Sequence, residues 1–210
     1  MHQLCEKLHI WANALPIFSF PFDPRALPLN GLYLLFEKGE TAHGTSRIVR
    51  VGTHTGNDQL RSRLQQHFLV ENKDRSIFRK NIGRALLTKE QDPFLNDWEL
   101  DLTSRQAKVK YSGRVDTNRQ KAIERRVSDY IQSSFSFAVL RVDDKQQRLR
   151  LESRLISTLS LCERCQPSKA WLGLFSPKEK IRDSGLWLVN ELYRQPLSNE
   201  EFGELQRLIK

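Results

Sequence analysis

Residues 32–37 alternate, with Leu32, Leu34 and Phe36 on one side and Tyr33, Leu35 and Glu37 on the other. This period of two predicts a strand with one fully apolar face. Asn30-Gly31 ahead of it is a turn signal. Residues 47–51 read as a second strand, ended by Gly52. The polar stretch 38–46, with two glycines, makes the pair an antiparallel hairpin with a long connection. Leu60, Leu64 and Phe68 then recur at helical spacing and predict a helix from Asp58, a candidate N-cap, to about Val70. A second helix is expected over 76–87. Residues 88–117 look like an irregular, basic insertion. Residues 118–133 predict a helix with Asn118 as cap and Ile123, Val127, Tyr130 and Ile131 on one face. Alternation returns at 135–142 as a strand, and a long helix follows over 146–161. The remainder is loop-rich until 199–210, where Ser198 can cap a last helix. The pattern is that of an α+β fold: a small antiparallel or mixed three-stranded sheet flanked by helices. Residues 1–28 form a proline-punctuated arm, 29–161 the core with its insertion at 88–117, and 162–210 a C-terminal extension packed on that core.

At 210 residues the chain can bury one well-formed core. No run approaches the roughly 20 apolar residues that span a bilayer. The most hydrophobic stretch, Ile10 to Phe22, is interrupted by Asn13, Pro16 and Pro21. Ala12-Asn13-Ala14 has the look of a cleavage site, but no continuous apolar segment precedes it, so the stretch reads as a packing arm and not a signal peptide. Three cysteines, an odd number, argue against a disulfide framework and for a reducing cytoplasm. Charge changes the picture more. The formal net charge is +9, which favours a polyanionic partner. The segment from Arg105 to Arg126 holds eight bases against two acids. Its first half has no apolar stripe, which excludes an amphipathic membrane helix and leaves nucleic acid.

The least comfortable residue is Glu152. At roughly 100° per residue, Leu149, Leu155, Ile156 and Leu159 fall within about 60° of it, so the carboxylate projects from an apolar stripe. A charge there needs an ion pair or a cation. An internal salt bridge is the ordinary reading, and a metal ligand opening into a cleft is the functional one. On the preceding helix pattern, Arg63 and His67 are four residues apart at the edge of the stripe, where they can form a phosphate clamp. Singly, each also reads as an ordinary boundary residue. Tyr33 reads first as a core tyrosine with a satisfied hydroxyl. Cys162-Glu163-Arg164-Cys165 has the spacing of half a zinc site, but a closed site needs four ligands. Cys5, His2 and His9 could complete it only through a long-range arrangement, so two unliganded thiols are the default.

Four ordered motifs resemble the GIY-YIG nuclease superfamily. Gly31-Leu32-Tyr33 is similar to its first motif and Arg50-Val51-Gly52 with Thr53 to its second. Leu60 to His67 resembles the arginine helix, and Leu151-Glu152-Ser153-Arg154-Leu155-Ile156 the glutamate helix. Ser76 to Arg84 and Ser184 to Trp187 look like stretches of a less-characterised bacterial branch. The resemblance implies a Mg²⁺- or Mn²⁺-dependent endonuclease acting on double-stranded DNA. Glu152 would hold the metal, Arg63 a non-bridging phosphate oxygen, and Tyr33 or His67 would take the water's proton. A free histidine's pKa of about 6.5 suits that last role. Arg50 stands where the family carries tyrosine. It cannot act as a base but can neutralise phosphate, and the departure admits a former nuclease that binds DNA without cutting. A third reading, an RNA-binding protein, lacks an aromatic platform for single strands. Expected DNA contacts are His54, Arg75, Arg79, Lys80, Arg84, Lys108, Lys110, Arg114, Arg119 and Lys121. Asn190 is the late asparagine that some members add. Cutting both strands needs two active sites, hence a homodimer or successive nicks.

Overall fold

The computed structural model describes residues 2–208, apart from the side chain of Lys108. In chain order the elements are α1 (His2–Asn13), β1 (Ile17–Ser19), β2 (Gly31–Ala42), β3 (Thr45–Gly52), α2 (Leu60–Phe68), α3 (Ile77–Lys89) and α4 (Leu95–Trp98). They continue as α5 (Arg105–Tyr111), α6 (Thr117–Ser134), β4 (Phe135–Arg141), α7 (Lys145–Ser160), α8 (Glu179–Ser184) and α9 (Asn199–Arg207). Short 3-10 turns occupy Pro24–Ala26 and Leu172–Phe175. Among the described residues, no helix is long and apolar enough to cross a membrane.

The sheet has four strands in the order β1-β4-β2-β3, every pair antiparallel. The expected three strands are therefore joined by β1, which pairs Ile17 to Ser19 with Ala138 to Ser136. Three residues are too few to show a period of two, so this strand left no pattern to read. α1 also lies within the stretch expected as an arm. Cys5, Leu8, His9 and Ala12 form its buried face, a helical spacing masked by the prolines that follow.

β2 is longer than the alternation of 32–37 implies. It runs on to Ala42, and His43 and Gly44, both at positive φ (52° and 76°), make a tight two-residue turn into β3. The long polar connection expected over 38–46 is not there. Its acids are buried with partners instead. Glu37 accepts from the indole N–H groups of Trp171 (2.7 Å) and Trp187 (2.8 Å) and from the Tyr130 hydroxyl (2.5 Å). Glu40 pairs with buried Arg47 at 2.6 Å. A buried acid satisfied from distant segments looks like a loop residue in the sequence.

Side chains divide between two cores, one on each face of the sheet. Leu32, Leu34, Phe36, Ile48 and Val51 pack with α1, α7 and α9. Tyr33, Leu35, Val49 and Phe137 pack with α2, α3 and α6, capped by Trp171 and Trp187. Arg50 pairs with Leu35 and Ile48 with Phe36, which makes Val49 the extra residue of a β-bulge and puts Val49 and Arg50 on the same side. Burying Leu60, Leu64 and Phe68 of α2 contributes about 1.5–3 kcal/mol each and fixes that helix against the sheet. Ser76 caps α3, accepting from the Arg79 N–H. Asp58 is not the cap of α2; it sits at φ 56° and is held by reciprocal hydrogen bonds with Asn30 at 2.7 and 2.8 Å. Asp116, two residues ahead of the expected Asn118, caps α6.

Candidate active site

Two glycines shape the end of the sheet. Gly31 lies against β4, where a Cβ would meet the Leu140 carbonyl oxygen at 2.0 Å. Gly52 pairs with Tyr33, and a Cβ there would meet the Tyr33 hydroxyl at 2.2 Å. The phenol thus fills the space that Gly52 leaves, one residue from Thr53. The backbone N–H of Thr53 donates to Glu152 Oε1 at 3.0 Å, and its hydroxyl donates to the Gly31 carbonyl at 2.7 Å. β3 therefore ends in a fixed amide on which the α7 carboxylate rests.

An open cleft of about 470 Å³ lies at this end of the sheet, lined by Thr53, His54, Gln59, Arg63, Gln66 and Glu152 among others. Glu152 reaches it from one helical layer and Arg63, on α2, from the other. Among the described residues Glu152 makes no ion pair. The other charges on its helix are engaged elsewhere, Arg154 with Glu201 at 3.3 Å and Arg150 with Glu204 at 2.7 Å. Burial pushes the Glu152 carboxyl above the usual carboxylate range, opposed by the charge of Arg50, the Thr53 amide and the charge of Arg63. Arg63 is itself half-buried, with Nη1 donating to the Arg75 carbonyl at 3.2 Å and to Gln66 Oε1 at 3.4 Å.

Tyr33, His67 and Arg50 lie beneath the cleft and not on its wall. The Tyr33 hydroxyl is 2.8 Å from His67 Nε2, and His67 Nδ1 is 2.7 Å from Ser76 Oγ. His67 is fully buried, and burial, reinforced by Arg50, Arg63 and Arg79, holds its pKa well below the ordinary histidine range. The ring is neutral at working pH and engaged at both nitrogens. Its nitrogens face Tyr33 and Ser76 and not the cleft beside Arg63, where its helix position suggested a phosphate clamp, and its pKa departs from the ordinary value that the family resemblance assigned to a general base. Arg50 is buried as well. It donates to the Trp187 carbonyl and stacks 5.4 Å from the Phe78 ring, with its Nε hydrogen-bonded to no described residue. Its charge acts on both Glu152 and His67.

The expected DNA contacts divide. Arg79 is fully buried and committed to Glu124 at 2.9 Å. Lys80 is buried and donates to the Glu99 carbonyl, and Arg84 pairs with Glu99 at 2.5 Å. These three hold α3 to α6 and to the stretch after α4, not a phosphate, because the helix that carries them is covered on nearly every side. His54 lines the cleft, but its Nδ1 lies 2.8 Å from the Gly56 carbonyl and its Nε2 accepts from Gly31 N–H at 3.3 Å, so neither nitrogen is left for a phosphate. Arg114 and Arg119 are exposed and paired with Asp97 and Asp92. Arg75, Lys110 and Lys121 are exposed. The side chain of Lys108 lies outside those described. Asn190 is exposed and does not line the cleft.

The supporting contacts of three residues were not read from the sequence. Thr53 holds Glu152, and Ser76 holds His67. Arg148 ties the start of α7 to the loop after β3, donating to the carbonyls of Asp143 (2.7 Å), Val142 (3.0 Å) and Gly56 (3.3 Å). Arg148 was detectable in principle, since it stands four residues before Glu152 on the same stripe. Thr53 and Ser76 stand in stretches that carry the family resemblance, but nothing in their spacing marks these two contacts.

Among curated proteins and among solved structures, none matches the chain significantly. A family model for the GIY-YIG domain matches residues 22–210, nearly the whole chain. With its two glycine-ended strands, arginine helix and glutamate helix around one cleft, this chain belongs to the GIY-YIG family of nuclease domains.

Proposed function

We propose that the protein is a divalent-metal-dependent DNA endonuclease that hydrolyses phosphodiester bonds at the cleft between α2 and α7. The observation that carries this is Glu152: a partly buried carboxylate with no ion pair among the described residues, held at one oxygen by a backbone amide and facing open space beside Arg63. A hard cation with few protein ligands fits that donor, and Glu152 is the residue that would hold Mg²⁺ or Mn²⁺. When bound, such a cation neutralises developing charge on the phosphate and the leaving oxygen.

The remaining work falls to the chain. Arg63 binds a non-bridging oxygen of the phosphate, where its charge counts most in the transition state. Arg50, from below, favours the ionised form of the Glu152 carboxylate against its burial. Neutral His67 fixes the Tyr33 hydroxyl, and Ser76 fixes His67, so that the phenol is the group able to orient the attacking water or take its proton. DNA is positioned mainly through phosphates, by exposed bases such as Arg75 and Lys121. Cutting both strands would take two such sites, in a homodimer or by successive nicks.

Supercoiled plasmid incubated with the protein and Mg²⁺ or Mn²⁺ tests this reading. Nicking is expected, abolished by chelation and reduced by about 10²–10³ in Glu152→Ala and Arg63→Ala. The buried position of Tyr33 and the Arg50 replacement favour a second reading, a family member that docks on DNA without cleaving it. Retarded but uncut plasmid with the wild type, or equal nicking by wild type and Glu152→Ala, would move the assignment there.

A further inference from the structure

All three cysteines and three of the five histidines gather on the face of the sheet opposite Tyr33, at the junction of α1, the β2–β3 turn and the segment after α7. The ligand atoms of Cys5, His9, His43 and Cys165 all lie within 4.8 Å of one another. Cys5 and His9 stand four apart on the buried face of α1, so the helix presents both to the same point. His43 is placed by the tight turn, and Cys165 by a turn closed by its N–H to the Cys162 carbonyl at 3.0 Å.

We propose that these four side chains form a structural zinc site. Zinc–sulfur and zinc–nitrogen bonds of about 2.3 and 2.0–2.1 Å at tetrahedral angles set a sulfur and a nitrogen roughly 3.5 Å apart. Cys165 Sγ lies 3.5 Å from His9 Nε2. His9 Nδ1 is 2.9 Å from the Cys5 carbonyl, a bond that fixes the tautomer and leaves Nε2 as the ligand atom. That lone pair now accepts from Ile48 N–H at 3.2 Å and is the one a cation would take. Cys162 borders the set, its Sγ 3.6 Å from His43 Nε2 and 3.4 Å from His2 Nδ1. Cys5, His9 and Cys165 are buried and His43 is partly so, the closed surroundings of a structural ion and not of a catalytic one. The site ties α1 to the C-terminal end of α7 and so steadies the helix that carries Glu152. It stands apart from the magnesium site proposed above and does not depend on the nuclease reading.

Metal analysis by plasma mass spectrometry of full-length protein, purified from zinc-supplemented medium and dialysed, should find about one zinc per chain. Replacing zinc with Co²⁺ should give the visible bands of tetrahedral cobalt together with thiolate charge transfer. Cys5→Ser and Cys165→Ser should each lower metal content at least about tenfold, whereas Glu152→Ala should retain it in full. If the cysteine variants do not fold, the wild-type cobalt spectrum decides. Absence of both zinc and the cobalt bands in the wild type, or a Cys5–Cys165 disulfide in the native protein, overturns the proposal. Undiminished zinc in both cysteine variants overturns it equally.

Discussion

Glu152 is ionised only against the cost of its burial, and that cost has a sign that can be measured. Its folded pKa lies above the value of a free glutamate. The stability tied to its proton is therefore fully present below the unfolded pKa and is lost as pH rises through the folded one. Glu152→Gln removes that loss. The variant should melt at a higher temperature than the wild type near pH 8, with the gap closing below about pH 4, where a free carboxylate is itself protonated. Melting curves across pH check this, and a less stable variant at pH 8 would mean that the Arg50 and Arg63 charges and the Thr53 amide outweigh burial. The discomfort of this residue was legible in the sequence because helical geometry alone sets the stripe around it. The fate of His67 was not. Its low pKa comes first from burial, and then from the guanidinium groups of Arg50 and Arg79, which reach it from other elements and join Arg63 of its own helix.

Among the elements, β3 does the most to bring the site together, through the bulge that turns Arg50 inward and the glycine that ends it. The Tyr33 hydroxyl occupies the position a Cβ would take at Gly52, so Gly52→Ala must displace the phenol or the strand end. Overpacking of this kind costs typically 1–3 kcal/mol. Denaturant unfolding should show that loss, and plasmid nicking should fall by more than stability accounts for, because the Thr53 amide under Glu152 moves with the strand. Nicking at the wild-type rate would show that neither the phenol nor the amide needs its present place. The strands of the hairpin and the helices that carry Arg63 and Glu152 were readable, since their periodicity is local. β1 and α1 were not, because one is too short for a period and the other precedes a run of prolines. The continuation of β2 was hidden by Glu37, whose partner Tyr130 lies more than 90 residues away, and by Glu40, which is held by Ser168, more than 120 residues away, as well as by Arg47 on the facing strand.

For the whole molecule, the surplus of positive charge overstates the basic surface. Arg47, Arg79 and Arg148 are fully buried, and several exposed arginines already have acids beside them. We propose that the DNA-facing charge includes Arg75, whose carbonyl accepts from Arg63, and Lys121 in the adjoining groove. Affinity for duplex DNA should fall steeply between about 50 and 300 mM salt, and Arg75→Ala or Lys121→Ala should each lower the slope of log affinity against log salt by about one. Titrations by fluorescence anisotropy measure it; a slope left unchanged by both substitutions would place the phosphate track elsewhere. Glutamate and arginine meet at the cleft from separate cores, one on each side of the sheet. On the proposed reading, a slide of one layer over the other by roughly 1 Å would misplace the two groups and cost about 10²-fold in rate while leaving every strand pairing intact. If the proposed nuclease reading holds, hydrolytic competence and foldedness can come apart, and plasmid nicking is expected to fail on warming before the far-ultraviolet signal of the backbone is lost.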